Sequence, residues 1–189
     1  MKNLRLLRLL LVMFACATIT EVRAQATGLN FGMDGRTGSG SDDSGRRFNL
    51  AYFLSVQHDF SDRVGMGITG AYLSEGLPGF EVIYDAKYFT SNNERTSFFL
   101  GSFLGFQRLS TDVYNSATRL TEDVGRTQLP IGLQIGLRGG LPGFFGELHV
   151  KAGYNIGNGE FGDGLPNAPS TTPLYLSLGL SYLGFGWEH

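Results

Sequence analysis

"FNLAYFLSVQHDF", residues 48–60, alternates its side chains from end to end. On an extended chain Phe48, Leu50, Tyr52, Leu54, Val56 and Phe60 share one face with His58. Asn49, Ala51, Phe53, Ser55, Gln57 and Asp59 share the other. A period of two residues is the period of a β-strand. One face of this strand is continuous and apolar, so it must lie against a core or against lipid.

The same pattern recurs on both sides. In "QLPIGLQIGLR" (128–138), Leu129, Ile131, Leu133, Ile135 and Leu137 oppose Gln128, Pro130, Gly132, Gln134, Gly136 and Arg138. In "PLYLSLGLSY" (173–182), Leu174, Leu176, Leu178, Leu180 and Tyr182 oppose Tyr175, Ser177, Gly179 and Ser181. Alternation predicts eight strands, at 27–36, 47–59, 64–74, 79–90, 96–108, 127–138, 144–156 and 173–187. No helical period of useful length interrupts them. Segments of about ten alternating residues are the expected signal of transmembrane strands.

The connections alternate as well. The first ("TGSGSDDSGR", 37–46), the fifth (109–126) and the seventh (157–172) are long and polar. The second ("DFSDR", 59–63) and the sixth ("GGLPG", 139–143) read as tight turns. The third ("SEGLPG", 74–79) is short, and the fourth ("TSNNER", 90–95) is intermediate. Short turns at one end and long loops at the other characterise outer-membrane barrels, with the long loops outside.

The N-terminus reads as an export signal. Lys2, Arg5 and Arg8 precede an apolar run, Leu9 to Ala17, that is too short to span a bilayer as a helix. Val22-Arg23-Ala24 offers small residues at the −3 and −1 positions of a cleavage site before Gln25. Residues 1–24 are therefore expected to be a signal peptide, and 25–189 a single barrel domain. The lone cysteine, Cys16, lies inside that signal, so the mature chain has no thiol for a disulfide or a metal. A lipoprotein signal cut before Cys16 is the alternative, and Met13 and Phe14 suit it poorly. Losing the signal leaves 11 basic and 16 acidic residues, a formal charge of −5, which argues against a nucleic-acid partner. Gly makes up 28 of 189 residues and charged residues only 17%, against roughly 25% in average soluble domains.

Alternation alone does not say which face is the exterior, because a soluble lipocalin-like carrier would bury the apolar one. Two observations place it outside. Small residues on the polar face suit the tight interior of a barrel of about eight strands. Aromatics on the apolar face also sort to the strand ends. Phe48, Tyr72, Phe80, Phe106 and Tyr154 lie at one end, and Phe60, Tyr88, Phe98, Phe144 and Tyr182 at the other. At about 3.3 Å per residue on tilted strands, the two groups are separated by roughly 20–30 Å, which brackets an apolar band of about 25 Å between girdles.

With its signal, these strands and the closing "YLSLGLSYLGFGW" (175–187), the sequence resembles the small eight-stranded outer-membrane β-barrel proteins of Gram-negative bacteria. The resemblance implies an all-β, antiparallel, up-and-down transmembrane barrel in the outer membrane. Its partners would be the membrane's lipids and, during biogenesis, the barrel-assembly machinery. The last segment looks like the strand signal that this machinery reads, although Glu188 and His189 follow the aromatic Trp187. The resemblance implies no cofactor. It is compatible with a structural or surface-binding protein, a narrow porin-like pore, or a lipid-modifying enzyme.

In "GELHVKAGYN" (146–155), Glu147, His149 and Lys151 share the face that points into the lumen. Arg138 and Gln134 on the preceding strand, and Ser177 and Ser181 on the last, are the expected neighbours. Glu81, Asp85 and Lys87 share the lumen phase and are expected to reach across. Charges in so narrow a space must be paired or hydrated, so these eight charged and amide residues are expected to form a structural polar network. A hydrolase reading takes Ser177 or Ser181 as nucleophile, His149 as base and Glu147 as its orienter. It meets a problem of access, because lipid does not enter a filled lumen. His58 faces lipid but stands alone near one girdle. Three scattered histidines without cysteine form no metal site. The acidic loop residues Asp42, Asp43, Glu122, Asp123, Glu160 and Asp163 lack EF-hand spacing. A surface ligand, if there is one, is expected at the connections 109–126 and 157–172.

Overall fold

A computed structural model describes residues 26–38, 47–74, 78–90, 96–115, 119–141, 144–157 and 173–183. The expected signal peptide with Cys16, most of the first and seventh connections, and the side chains of Phe48 and Phe144 lie outside the described residues.

Eight strands form one closed antiparallel barrel in chain order. They are β1 (Ala26–Gly38), β2 (Arg47–Asp59), β3 (Val64–Leu73), β4 (Gly79–Phe89), β5 (Thr96–Asn115), β6 (Leu120–Leu141), β7 (Phe144–Ile156) and β8 (Leu174–Leu183). All eight expected segments are strands, and β2 and β7 carry the expected limits. β1 is longer than expected at both ends. β8 is described to Leu183, and residues 184–187 of the expected strand lie outside the described residues.

The largest departure concerns residues 109–126, read from their polarity as a loop. β5 runs on to Asn115 and β6 begins at Leu120, and the two pair from Leu109↔Arg126 to Asn115↔Leu120. The connection is therefore a two-stranded ribbon that rises above the rim. Leu109 and Val124 explain why it is ordered. They turn inward and pack on Ala51 and Leu73, an apolar cluster at the upper end of the lumen. The overall polarity of the segment hid a strand whose inner face still carries apolar residues.

The register sets the width of the barrel. Ala26 pairs with Asp59, then the path crosses Gly65, Lys87, Gly101, Gln134, Lys151 and Ser177, and returns to β1 at Arg36, ten residues further along. A shear of that size over eight strands tilts them by roughly 40–45° and leaves an interior that side chains just fill. Glycine makes the filling possible. A Cβ on Gly132 would lie 2.8 Å from Cζ of Phe103, so that ring occupies space where no side chain stands.

At the lower rim, the turn after β2 is tight. Phe60 N–H donates to the Val64 carbonyl at 2.8 Å, and the Ser61 hydroxyl accepts from the Val64 N–H at 3.2 Å. This matches the short turn expected from "DFSDR".

The faces are inverted relative to a soluble barrel. Leu54, Ile68, Leu104, Ile131, Leu148 and Leu178 are exposed, while Asp34, Glu81, Lys87, Arg138 and Lys151 are buried. Tyr72, Phe80, Phe106 and Tyr154 ring the exterior near the upper rim, and Tyr88, Phe98 and Tyr182 near the lower one; all seven are exposed. His58 lies on the exterior near the lower rim, where the Thr27 hydroxyl meets its Nδ1 at 2.7 Å and its ring packs edge-on against Phe60. A ring with an apolar body and one satisfied polar atom suits a membrane boundary.

Leu133 and Leu120 are each 63% exposed, but Leu133 sits at mid-height on the exterior and Leu120 near the tip of the ribbon. Leu133→Arg is expected to cost about 2–4 kcal/mol in lipid vesicles. Leu120→Arg is expected to stay within about 0.5 kcal/mol. Urea unfolding of the reconstituted protein, followed by tryptophan fluorescence, reads both.

Candidate functional site: the charged lumen

The eight residues singled out in the sequence are all buried in the lumen: Glu81, Asp85, Lys87, Gln134, Arg138, Glu147, His149 and Lys151. They come from β4, β6 and β7. Their partners include residues of β1 and β2 that the sequence reading left out, namely Asp34, Arg36, Gln57 and Asp59. The signal for all four was present: Gln57 and Asp59 lie on the polar face of residues 48–60. Asp34 and Arg36 alternate with Phe31 and Met33 in "NFGMDGR" (30–36), on the polar phase of the first strand.

The polar side chains form two clusters. The lower is a closed ring. Arg138 donates to Asp59 at 2.7 Å and to Glu147 at 3.5 Å. Lys87 donates to Glu147 at 2.5 Å and to the Gln57 carbonyl oxygen at 3.0 Å, and the Gln57 amide donates to Asp59 at 2.9 Å. Two aromatic rings underlie it. Arg138 stacks 4.1 Å over Phe89, Lys87 lies 4.9 Å from Phe99, and these two rings are themselves 5.6 Å apart. Arg138 and Glu147 face each other because they are direct cross-strand partners.

The upper cluster centres on Arg36, which pairs with Glu81 and, at 3.0 Å, with Asp34. The Gln107 amide donates to Glu81 at 3.1 Å and the Tyr175 hydroxyl at 3.4 Å. His149 stands between the clusters, with Nε2 3.0 Å from Asp34 and Nδ1 3.9 Å from Glu147. Asp34 is on β1 and His149 on β7, so the contact must cross β8. Gly179 is the residue of β8 paired with both, and a Cβ there would run into the Asp34 carboxylate and the imidazole.

The Ser-His-Glu arrangement read from Ser177, His149 and Glu147 is not assembled in hydrogen-bonding geometry. Both imidazole nitrogens face carboxylates, Glu147 is too far for a hydrogen bond to Nδ1, and the Ser177 hydroxyl has no hydrogen-bond partner among the described residues. No group of three or more metal-ligating side chains occurs among the described residues.

Neither a protein-family model nor a curated protein matches the chain. Solved structures do. Neisserial surface protein A superposes with a TM-score of 0.56 at 15% identity, over 85% of this chain and 99% of that one. The N-terminal β-barrel domain of Pseudomonas aeruginosa OprF superposes with a TM-score of 0.52 at 15% identity, over 86% of this chain and all of the other. At such identity the likeness is one of architecture. The chain has the fold of the small eight-stranded outer-membrane β-barrels.

Glu147→Ala removes the acceptor shared by Lys87 and Arg138 and leaves two buried cations short of a partner. It is expected to cost about 3–5 kcal/mol. Gly179→Val is expected to destabilise the barrel by forcing His149 and Asp34 apart, while Gly179→Ser, with a smaller side chain, costs less. Urea midpoints of the refolded proteins rank the three.

Proposed function

We propose that this protein is a non-enzymatic, integral outer-membrane β-barrel that serves as a structural or surface-binding element of the Gram-negative envelope. The observation that carries the reading is the inversion of faces, an apolar exterior between two aromatic girdles around a charged lumen. Such an exterior calls for lipid, and a barrel that pairs its backbone groups from strand to strand suits a medium without water. The fold it shares with Neisserial surface protein A and the OprF barrel supports the same location. A soluble carrier would need the opposite arrangement.

The filled lumen supports a structural role over a pore. Phe89 and Phe99 lie across its lower end, the two charged clusters occupy the middle, and Ala51, Leu73, Leu109 and Val124 pack across the top. The catalytic-type side chains are enclosed with them, which argues against a lipid-modifying enzyme. Contact with a partner is assigned to the upper side, through the ribbon formed by 109–126 and through the connection 157–172, because the barrel wall is given over to lipid.

The first test is electrophoretic mobility of the outer-membrane fraction in detergent, boiled against unboiled. A band that shifts on boiling is expected; an unshifted protein in the soluble periplasmic fraction would sink the membrane assignment. In planar bilayers the folded protein is expected to give no steady conductance. Regular single-channel steps would restore the pore.

A further inference from the structure

At mid-height, between the two charged clusters, the lumen encloses a cavity of about 10 Å³. That is close to the space swept by the centre of one water molecule. Ser55, Thr69, Asp85, Gln134, His149 and Lys151 are among the residues around it. Three of them bring unmet hydrogen-bonding capacity. Neither amide atom of Gln134, which is 1% exposed, has a hydrogen-bond partner among the described residues. Asp85 Oδ1 has none either and reaches only Lys87, at 3.9 Å. Lys151 is 4% exposed and makes no hydrogen bond or ion pair with a described residue, unlike the other three cations of the lumen.

A buried ammonium without an acceptor and a buried amide without partners both carry an unrecovered desolvation cost. These groups therefore call for a ligand that both donates and accepts. The charges around the cavity decide its class. Lys87 and Lys151 stand against Asp85 and Glu147, so the lining is balanced and favours a neutral guest over a cation or an anion.

We propose that this cavity is a binding site for a single internal water, which accepts from the Lys151 ammonium and donates to Asp85 Oδ1 and the Gln134 carbonyl oxygen. The water completes the polar filling of the lumen and connects Lys151 to Asp85, whose carboxylate faces Lys87 of the lower ring at 3.9 Å. Phe89 and Phe99 lie below it and the Leu73–Leu109 cluster above it, and on this proposal they slow its exchange with bulk.

Oxygen-17 magnetic relaxation dispersion of the full chain in detergent micelles tests this, with the heat-shifted band confirming a folded barrel in every sample. Wild-type protein is expected to show long-lived internal water, and Lys151→Met to lose one such water from the dispersion amplitude. Gln134→Leu, which keeps the side-chain volume and removes both amide atoms, is expected to lose the same one. A folded wild-type barrel without long-lived water overturns the proposal. So does an amplitude unchanged in both variants, which would place the water elsewhere. Because folding is scored separately, failure here leaves the reading of the barrel as an outer-membrane protein intact.

Discussion

Strand pairing that closes on itself is the constraint from which the remaining features follow. Each strand satisfies its backbone groups only through its two neighbours, and the circuit from Ala26 back to Arg36 gains ten residues. That offset, with eight strands, determines both the tilt and the internal width. The lumen is then too narrow for a layer of large side chains on every strand. Rings such as Phe53, Phe99 and Phe103 fit inside it because glycines Gly32, Gly136 and Gly132 stand next to them.

Within this width, charge is tolerated only when it is matched. Burying an ion pair gains little over a well-packed apolar pair, but removing one partner is costly. The lower ring has no dispensable member, since Glu147 serves two cations and Gln57 links Lys87 to Asp59. The arrangement fills the middle of the lumen with matched charge. His149 links the two clusters across a strand, and that link depends on the missing side chain of Gly179.

Outside, the division of labour follows height. Between the girdles the wall is mostly leucine, isoleucine, valine and aromatic, with Met33, Gly70, Ser102 and Ala152 among them, which suits lipid. Above them the β5–β6 ribbon leaves the wall. Leu109 and Val124, pinned to Ala51 and Leu73, tie its base to the barrel and cover the upper end of the lumen.

Much of this was legible in the sequence, for a physical reason. A side-chain period of two is a local property, so Leu54 and Ser55 declare opposite faces without any knowledge of the fold. Alternation gave the eight strands, and sorted aromatics gave the outward face. The same rule marked Glu147, His149 and Lys151 as lumen residues. Register was beyond its reach, because the partner of a residue depends on where strands distant in sequence come to rest. Only the closed barrel therefore decides that Lys87 meets Glu147, that His149 reaches Asp34 over Gly179, and that Lys151 is left facing a cavity. The ribbon escaped notice for a related reason. Its polarity reads as loop, and its order comes from two apolar side chains whose contacts lie on other strands.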